Sequence, residues 1–187
     1  MRRRASAVAA MMLATLALGC NDKSARDASV QAAQFPDETV MEFVTQESDS
    51  GRVRWKLAAP RALRYNARNV FVMDNPKIEF YDEMGNLQTS LVAKNGEYSL
   101  ATHDMLAYGD VVATSVKGEI LETDSLKYLN EKDKIVSDSF VKLTRGGDVV
   151  TGIGMECDHT LDSVDIKKDV RARIVEDDGK LNNNLKQ

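Results

Sequence analysis

Arg52-Val53-Arg54-Trp55-Lys56-Leu57-Ala58-Ala59 (RVRWKLAA) sets charged and apolar residues at alternate positions. A period of two sends successive side chains to opposite faces of an extended chain. Val53, Trp55, Leu57 and Ala59 then share a buried face, and Arg52, Arg54 and Lys56 meet water. The pattern recurs outward from this stretch. Ile78 and Phe80 stand among Lys77, Glu79 and Tyr81, and Leu87, Thr89, Leu91 and Ala93 among Gln88, Ser90, Val92 and Lys94. Near the end, Ile166, Val170, Ala172 and Ile174 stand among Lys167, Lys168, Asp169, Arg171 and Arg173. After residue 40 no segment keeps a helical period over three turns. Pro36, Pro60 and Pro76, the three prolines, fall where strands can start or stop. The expected class is all-β.

Turn signals punctuate the strands at a regular interval. Asp49-Ser50-Gly51, Asp82-Glu83-Met84-Gly85, Lys117-Gly118, Gly146-Gly147 and Asp177-Asp178-Gly179 each sit between two candidate strands. Glycine supplies the positive φ that tight hairpins need. Gly51, Gly85, Gly118, Gly147 and Gly179 are spaced by 34, 33, 29 and 32 residues. Two positions past each glycine stands an aliphatic: Val53, Leu87, Ile120, Val149 and Leu181. Tyr65, Tyr98 and Tyr128 follow the first three glycines at similar distances. The chain is therefore a weak repeat of about 30 residues, each unit a hairpin with a return segment. Such antiparallel units stack into an elongated two-layer β structure. A parallel β-helix is the competitor, but its rungs are usually shorter and lack hairpin turns.

The N-terminus carries a different signal. Met1-Arg2-Arg3-Arg4 precedes the apolar run Ala5 to Leu18, and Ala17-Leu18-Gly19-Cys20 closes it. A positive n-region, a short apolar h-region and a small residue before the cut are the parts of a secretory signal. The run is too short for a membrane-spanning helix of about 20 residues. A Cys at the cut resembles a bacterial lipobox, which makes Cys20 the expected lipid attachment point; plain secretion with an incidental Cys is the alternative. Two or more acyl chains, each buried methylene contributing about 0.8 kcal/mol, hold a domain at a membrane. The expected organisation is a signal peptide over 1–19, a polar tether over 20–37, one β domain over 38–176 and a polar tail over 177–187. Without its signal the chain has 22 basic and 29 acidic residues. That balance argues against nucleic acid and against broad adhesion to anionic head groups. Cys157 is the second cysteine and reads as a single buried thiol, with an intermolecular bridge as the alternative.

Catalysis finds little support. Cys157 and His159 lack the further ligands of a zinc site, and no G-x-S-x-G, P-loop or H-E-x-x-H occurs. Asp82, Glu83, Asp133, Asp148, Asp177 and Asp178 read as solvated turns and wet faces. No enzyme, metal or cofactor is expected.

Several stretches in order resemble a known family. They are Phe43 to Leu57 (FVTQESDSGRVRWKL), Asn75 to Asp82 (NPKIEFYD) before Gly85, Gly109-Asp110-Val111-Val112, Gly118 to Tyr128 (GEILETDSLKY) and Thr151 to Asp158 (TGIGMECD). Together, over roughly residues 38–175, they resemble LptC, the periplasmic component of the lipopolysaccharide export ABC transporter. The resemblance implies a slightly twisted, open two-layer antiparallel β-jellyroll of the OstA-like kind. It also implies an apolar interior that takes lipid A acyl chains from an inner-membrane LptBFG-type transporter and hands them to LptA. The best-known members carry an uncleaved transmembrane helix, and the cleavage-site Cys20 departs from that pattern.

Alternation assigns Phe43, Trp55, Leu57, Ile78, Phe80, Leu91, Val149 and Ile153 to the interior, as the expected lining of a lipopolysaccharide groove. The last strands present Val164, Ile166, Val170, Ala172 and Ile174 at an edge where the resemblance implies that an LptA-like bridge protein docks. The transporter is assigned to the N-terminal edge near Val40 to Thr45. Asn21-Asp22 resembles the residues that retain lipoproteins at the inner membrane, so the expected site is its periplasmic face. Two other readings stand beside this one: a lipoprotein scaffold or assembly factor with a filled core, and a soluble LptA-like bridge unit.

Overall fold

The computed structural model describes residues 35–175. The signal peptide, Cys20, most of the tether, the turn at Gly179 and the tail 177–187 lie outside the described residues. Eleven strands form one antiparallel sheet: β1 (Glu38–Asp49), β2 (Arg52–Tyr65), β3 (Val70–Asp74), β4 (Lys77–Tyr81), β5 (Leu87–Val92), β6 (Asn95–Ser99), β7 (Met105–Ser115), β8 (Ile120–Leu129), β9 (Lys134–Arg145), β10 (Asp148–Cys157) and β11 (Val164–Arg173). The expected turns at Gly51, Gly85, Gly118 and Gly146-Gly147 each join two of these strands.

The ladders reduce the eleven strands to nine passes. β3 and β4 pair with the two ends of β2 and form one pass, broken at Asn75-Pro76. β5 and β6 pair with the two ends of β7 and form another, broken at Ala93-Lys94. Every pass then pairs only with its neighbours in the chain. The all-β, antiparallel expectation holds. Its jellyroll part concerns connectivity, and the connectivity here is a meander folded over on itself.

The fold-over has a visible line. Backbone irregularities in neighbouring passes stand opposite one another. Glu42 has φ +52° where β1 skips past Pro60 of β2. Next come Asn75 (φ +46°), the break at Ala93-Lys94, and Gly109-Asp110 (φ +77° and +50°). Register shifts in β8 and β9, Gly154 (φ +73°) and Asp169 (φ +51°) complete the line. Left-handed φ is mostly confined to Gly, Asn and Asp, and bulges of this kind bend strands. A transverse seam thus divides each pass into two halves.

Aromatic contacts show that the halves face each other. Phe43–Phe71 (4.7 Å), Phe80–Tyr128 (5.0 Å), Trp55–Tyr98 (5.7 Å) and Phe80–His159 (5.9 Å) each join one side of the seam to the other. On a flat sheet β4 and β8, three passes apart, would be separated by about 14 Å. Their rings meet because the sheet doubles back at the seam. Ala59, Ala62, Ala93 and Ala107 flank the bend and are buried. Small side chains fit where the two layers converge.

Candidate functional site

Interior positions follow from the register. Phe43, Trp55, Leu57, Ile78, Phe80 and Leu91 are all buried, at no more than 8% exposure, in one apolar cluster. They lie on β1, β2, β4 and β5, on one side of the seam. The facing layer contributes Phe71, Met73, Tyr98, Met105, Tyr128 and Ile135. Sequence reading missed most of these as lining. Val70-Phe71-Val72-Met73 is apolar on both faces, so alternation there has no phase; Tyr98 and Tyr128 were legible only as repeat markers.

The expected interior positions on β10 are corrected. Val149 pairs with Thr144, and Ile153, 40% exposed, pairs with the exposed Phe140. Directly opposed residues share a face. The inward residues before the bulge are therefore Val150, opposite buried Leu143, and Gly152, opposite buried Val141. Past Gly154 the inward set becomes Met155 and Cys157. Val149 and Val150 are equally apolar, so the alternation could be read in either phase, and a one-residue error turns the whole set around. Among the described residues Cys157 has no disulfide partner; it is buried, and that burial pushes its thiol up to about 12.

Val164, Ile166 and Ala172 pair with Cys157, Met155 and Val150 and so carry the inward face onto β11. Val170 and Ile174 continue it by alternation. Val164 and Ile166 are half-buried, whereas Val170 (55%) and Ile174 (71%) are exposed. The apolar interior thus runs out into solvent at this end. Among the described residues β11 pairs only with β10, and β1 only with β2, so both terminal strands have one ladder edge unpaired there.

Opposite the seam, the rims of the two layers are joined by a polar clasp. Glu47 on β1 accepts from Arg54 Nη1 (3.0 Å) and Asn130 Nδ2 (3.1 Å), and its Oε2 lies 3.2 Å from His103 Nδ1. Trp55 Nε1 donates to Asn130 Oδ1 (3.2 Å). Asp133 accepts from the Tyr128 hydroxyl (2.8 Å) and stands 3.3 Å from Arg54 Nη2 and 3.4 Å from His159 Nδ1. A cleft of about 410 Å³ lies beside the clasp, lined by Arg52, Arg54, Tyr81, Glu83, Asp133 and His159 among others. Asp133, expected as a solvated turn carboxylate, is instead a shared acceptor between two layers. Among the described residues no group of three or more His, Cys, Asp or Glu side chains is placed to hold a metal ion.

His159, then Tyr128 and Arg54, hold the Asp133 carboxyl down at about 2, and burial raises the Tyr128 hydroxyl above its usual value. A depressed carboxyl stabilises the fold above its ordinary pKa, and that contribution is lost as pH falls from about 4 to about 2. Asp133→Asn tolerates the left-handed backbone at this position (φ +50°). Its urea midpoint should fall below wild type at pH 7, and the gap should close as the pH drops through this window. A gap that stays constant down to pH 2 would show that the Asp133 charge does not hold the rims.

The comparisons can be set against this geometry. The family model described as "LptC: Lipopolysaccharide-assembly, LptC-related" matches residues 6–175. Among solved structures the chain is similar to LptH, described as the LptA homologous periplasmic component of the conserved lipopolysaccharide transport device from Pseudomonas aeruginosa. The identity is 9%, the TM-score 0.32, and the match covers 78% of this chain and 99% of that one. No curated protein matches the sequence.

Proposed function

The chain belongs to the LptC-related family of lipopolysaccharide-assembly proteins, and we propose that within it the chain is a membrane-anchored periplasmic conduit. Members of the family are transport components rather than enzymes, periplasmic and associated with the inner membrane. In the proposed role the chain receives lipopolysaccharide from an inner-membrane LptBFG-type transporter at the β1 edge. It passes the acyl chains along its interior to an LptA-like bridge protein at β11. The observation that carries this reading is the continuity of the apolar interior from Phe43 to Val170 and Ile174, where it emerges at a strand edge that has no partner among the described residues. Acyl chains need an apolar lining and little else.

One observation favours a second reading, a scaffold with a filled core. Trp55, Leu57, Leu121 and Ile135 are 0% exposed, so the two layers are in contact where a conduit would hold lipid. In the conduit reading the layers part at the clasp when acyl chains enter. Photocrosslinking residues placed in cells at Ile78 or Leu91 should label lipopolysaccharide, and those at the outward Lys56 or Gln88 should not. Export that proceeds with no labelling from any interior position would favour the scaffold.

The anchor is assigned to Cys20. Cys20→Ser should abolish palmitate incorporation and leave the precursor uncleaved. Normal radiolabelled palmitate in that variant would show that the lipid is not attached at Cys20.

A further inference from the structure

The two terminal strands differ in charge as well as position. β1 carries Glu38, Glu42, Glu47 and Asp49 and no basic residue. β11 carries Lys167, Lys168, Arg171 and Arg173 against Asp165 and Asp169. Register places Lys168, Arg171 and Arg173 opposite Ile153, Thr151 and Val149, on the outward face, and all three are exposed. Other cations nearby are matched: Lys142 to Glu122 at 2.6 Å, and Lys167 to Asp165 at 2.7 Å. Among the described residues no carboxylate lies within 4.0 Å of Lys168, Arg171 or Arg173. The edge strand therefore offers three things at once: an open ladder, an apolar inner row and an unmatched cationic outer row.

We propose that the β11 edge selects a partner strand with apolar residues at its inward positions and acidic residues at its outward positions. Opposite charges directly across a ladder attract, and like charges there repel. An acidic-outward strand gains at every second position, whereas another β11 would set cations against cations. Backbone ladder bonds supply adhesion to any strand, and the charge row supplies the choice among strands. The inference rests on the β11 docking edge proposed above and adds the chemistry of what docks there.

The test is affinity of the full chain for its LptA-like bridge protein at about 50 and about 300 mM salt, where the screening length differs about twofold. Three chains are compared: wild type, K168E/R171E/R173E, and Val170→Pro. The reversed residues are exposed, and circular dichroism verifies that each variant is folded. Wild-type binding should weaken with salt. The triple reversal should bind roughly tenfold more weakly at low salt and lose the wild-type salt dependence. Val170→Pro, which removes a backbone donor from the edge strand and disturbs its ladder, should remove binding at both salts. If Val170→Pro binds as wild type does, docking is not at β11 and the reading beneath the inference fails. If Val170→Pro fails to bind while the triple reversal matches wild type at both salts, docking stands and selection by charge is overturned. A triple reversal that keeps partner binding but loses lipopolysaccharide photolabelling also overturns it, and assigns the cations to anionic head groups.

Discussion

Trp55→Ala will lower the unfolding free energy by about 3–5 kcal/mol, a large part of the roughly 5–15 kcal/mol that holds a domain of ordinary stability. Trp55 is 0% exposed, its ring meets Tyr98 at 5.7 Å across the layers, and its Nε1 donates to Asn130 Oδ1. Truncation removes the largest buried side chain. It also strips Asn130 of the donor that ties the clasp to the core. Trp55→Phe separates the two effects: much of the apolar volume stays, so the loss should shrink towards the roughly 1 kcal/mol of a missing hydrogen bond plus a small void. Urea titration of the three proteins measures both. A Trp55→Ala protein within about 1 kcal/mol of wild type would mean that the layers do not pack on this residue.

Gly152→Ala will loosen β11 although it adds a single methyl group. A Cβ at Gly152 would be driven onto Ile166 Cγ2 and within 2.7 Å of the Lys168 carbonyl oxygen. Ile166 can rotate away, but the carbonyl belongs to the strand itself. The cheapest relief is for β11 to move off β10, at an overpacking cost of about 1–3 kcal/mol. Hydrogen exchange should therefore accelerate at β11 amides and stay at wild-type rates in β8 and β9. Docking of the LptA-like partner should be lost with it, while palmitate labelling is unaffected. β11 amides that exchange as in wild type would show that β10 and β11 leave room for the methyl group.

The strand content was legible because one face of β2, β4 and β5 is wet. Arg54, Lys56, Lys77 and Glu79 mark that face, and Trp55, Leu57, Ile78 and Phe80 mark the other. The turns were legible because Gly51, Gly85, Gly118 and Gly146-Gly147 supply backbone shapes that few residues adopt. The reading failed on β10, where Val149 and Val150 leave the phase open and the Gly154 bulge changes it midway. The seam was not legible. Glu42, Asn75, Asp110 and Asp169 look like ordinary polar residues, and only the pairing register lines them up. Nor was the clasp, since Glu47, His103, the Asn130–Asp133 turn and His159 come from separate parts of the chain and meet only after the sheet folds over.

The meander also bears on the order in which the molecule assembles. Each ladder joins consecutive passes, so the loop that closes it is short and its entropic cost is small. The clasp is another class of contact: Trp55 and Asn130 are 75 residues apart, and Glu47 and Asn130 are 83 apart. A chain folding from its N-terminus can zip its ladders one turn at a time and bring Phe71 onto Phe43 early, but the clasp cannot close until Asn130 has arrived. Until then the partners of Phe80, Tyr128 and Ile135 are incomplete, and that part of the apolar face meets water. That half-made sheet is the aggregation-prone species in the life of this protein, and the one a periplasmic chaperone would have to shield.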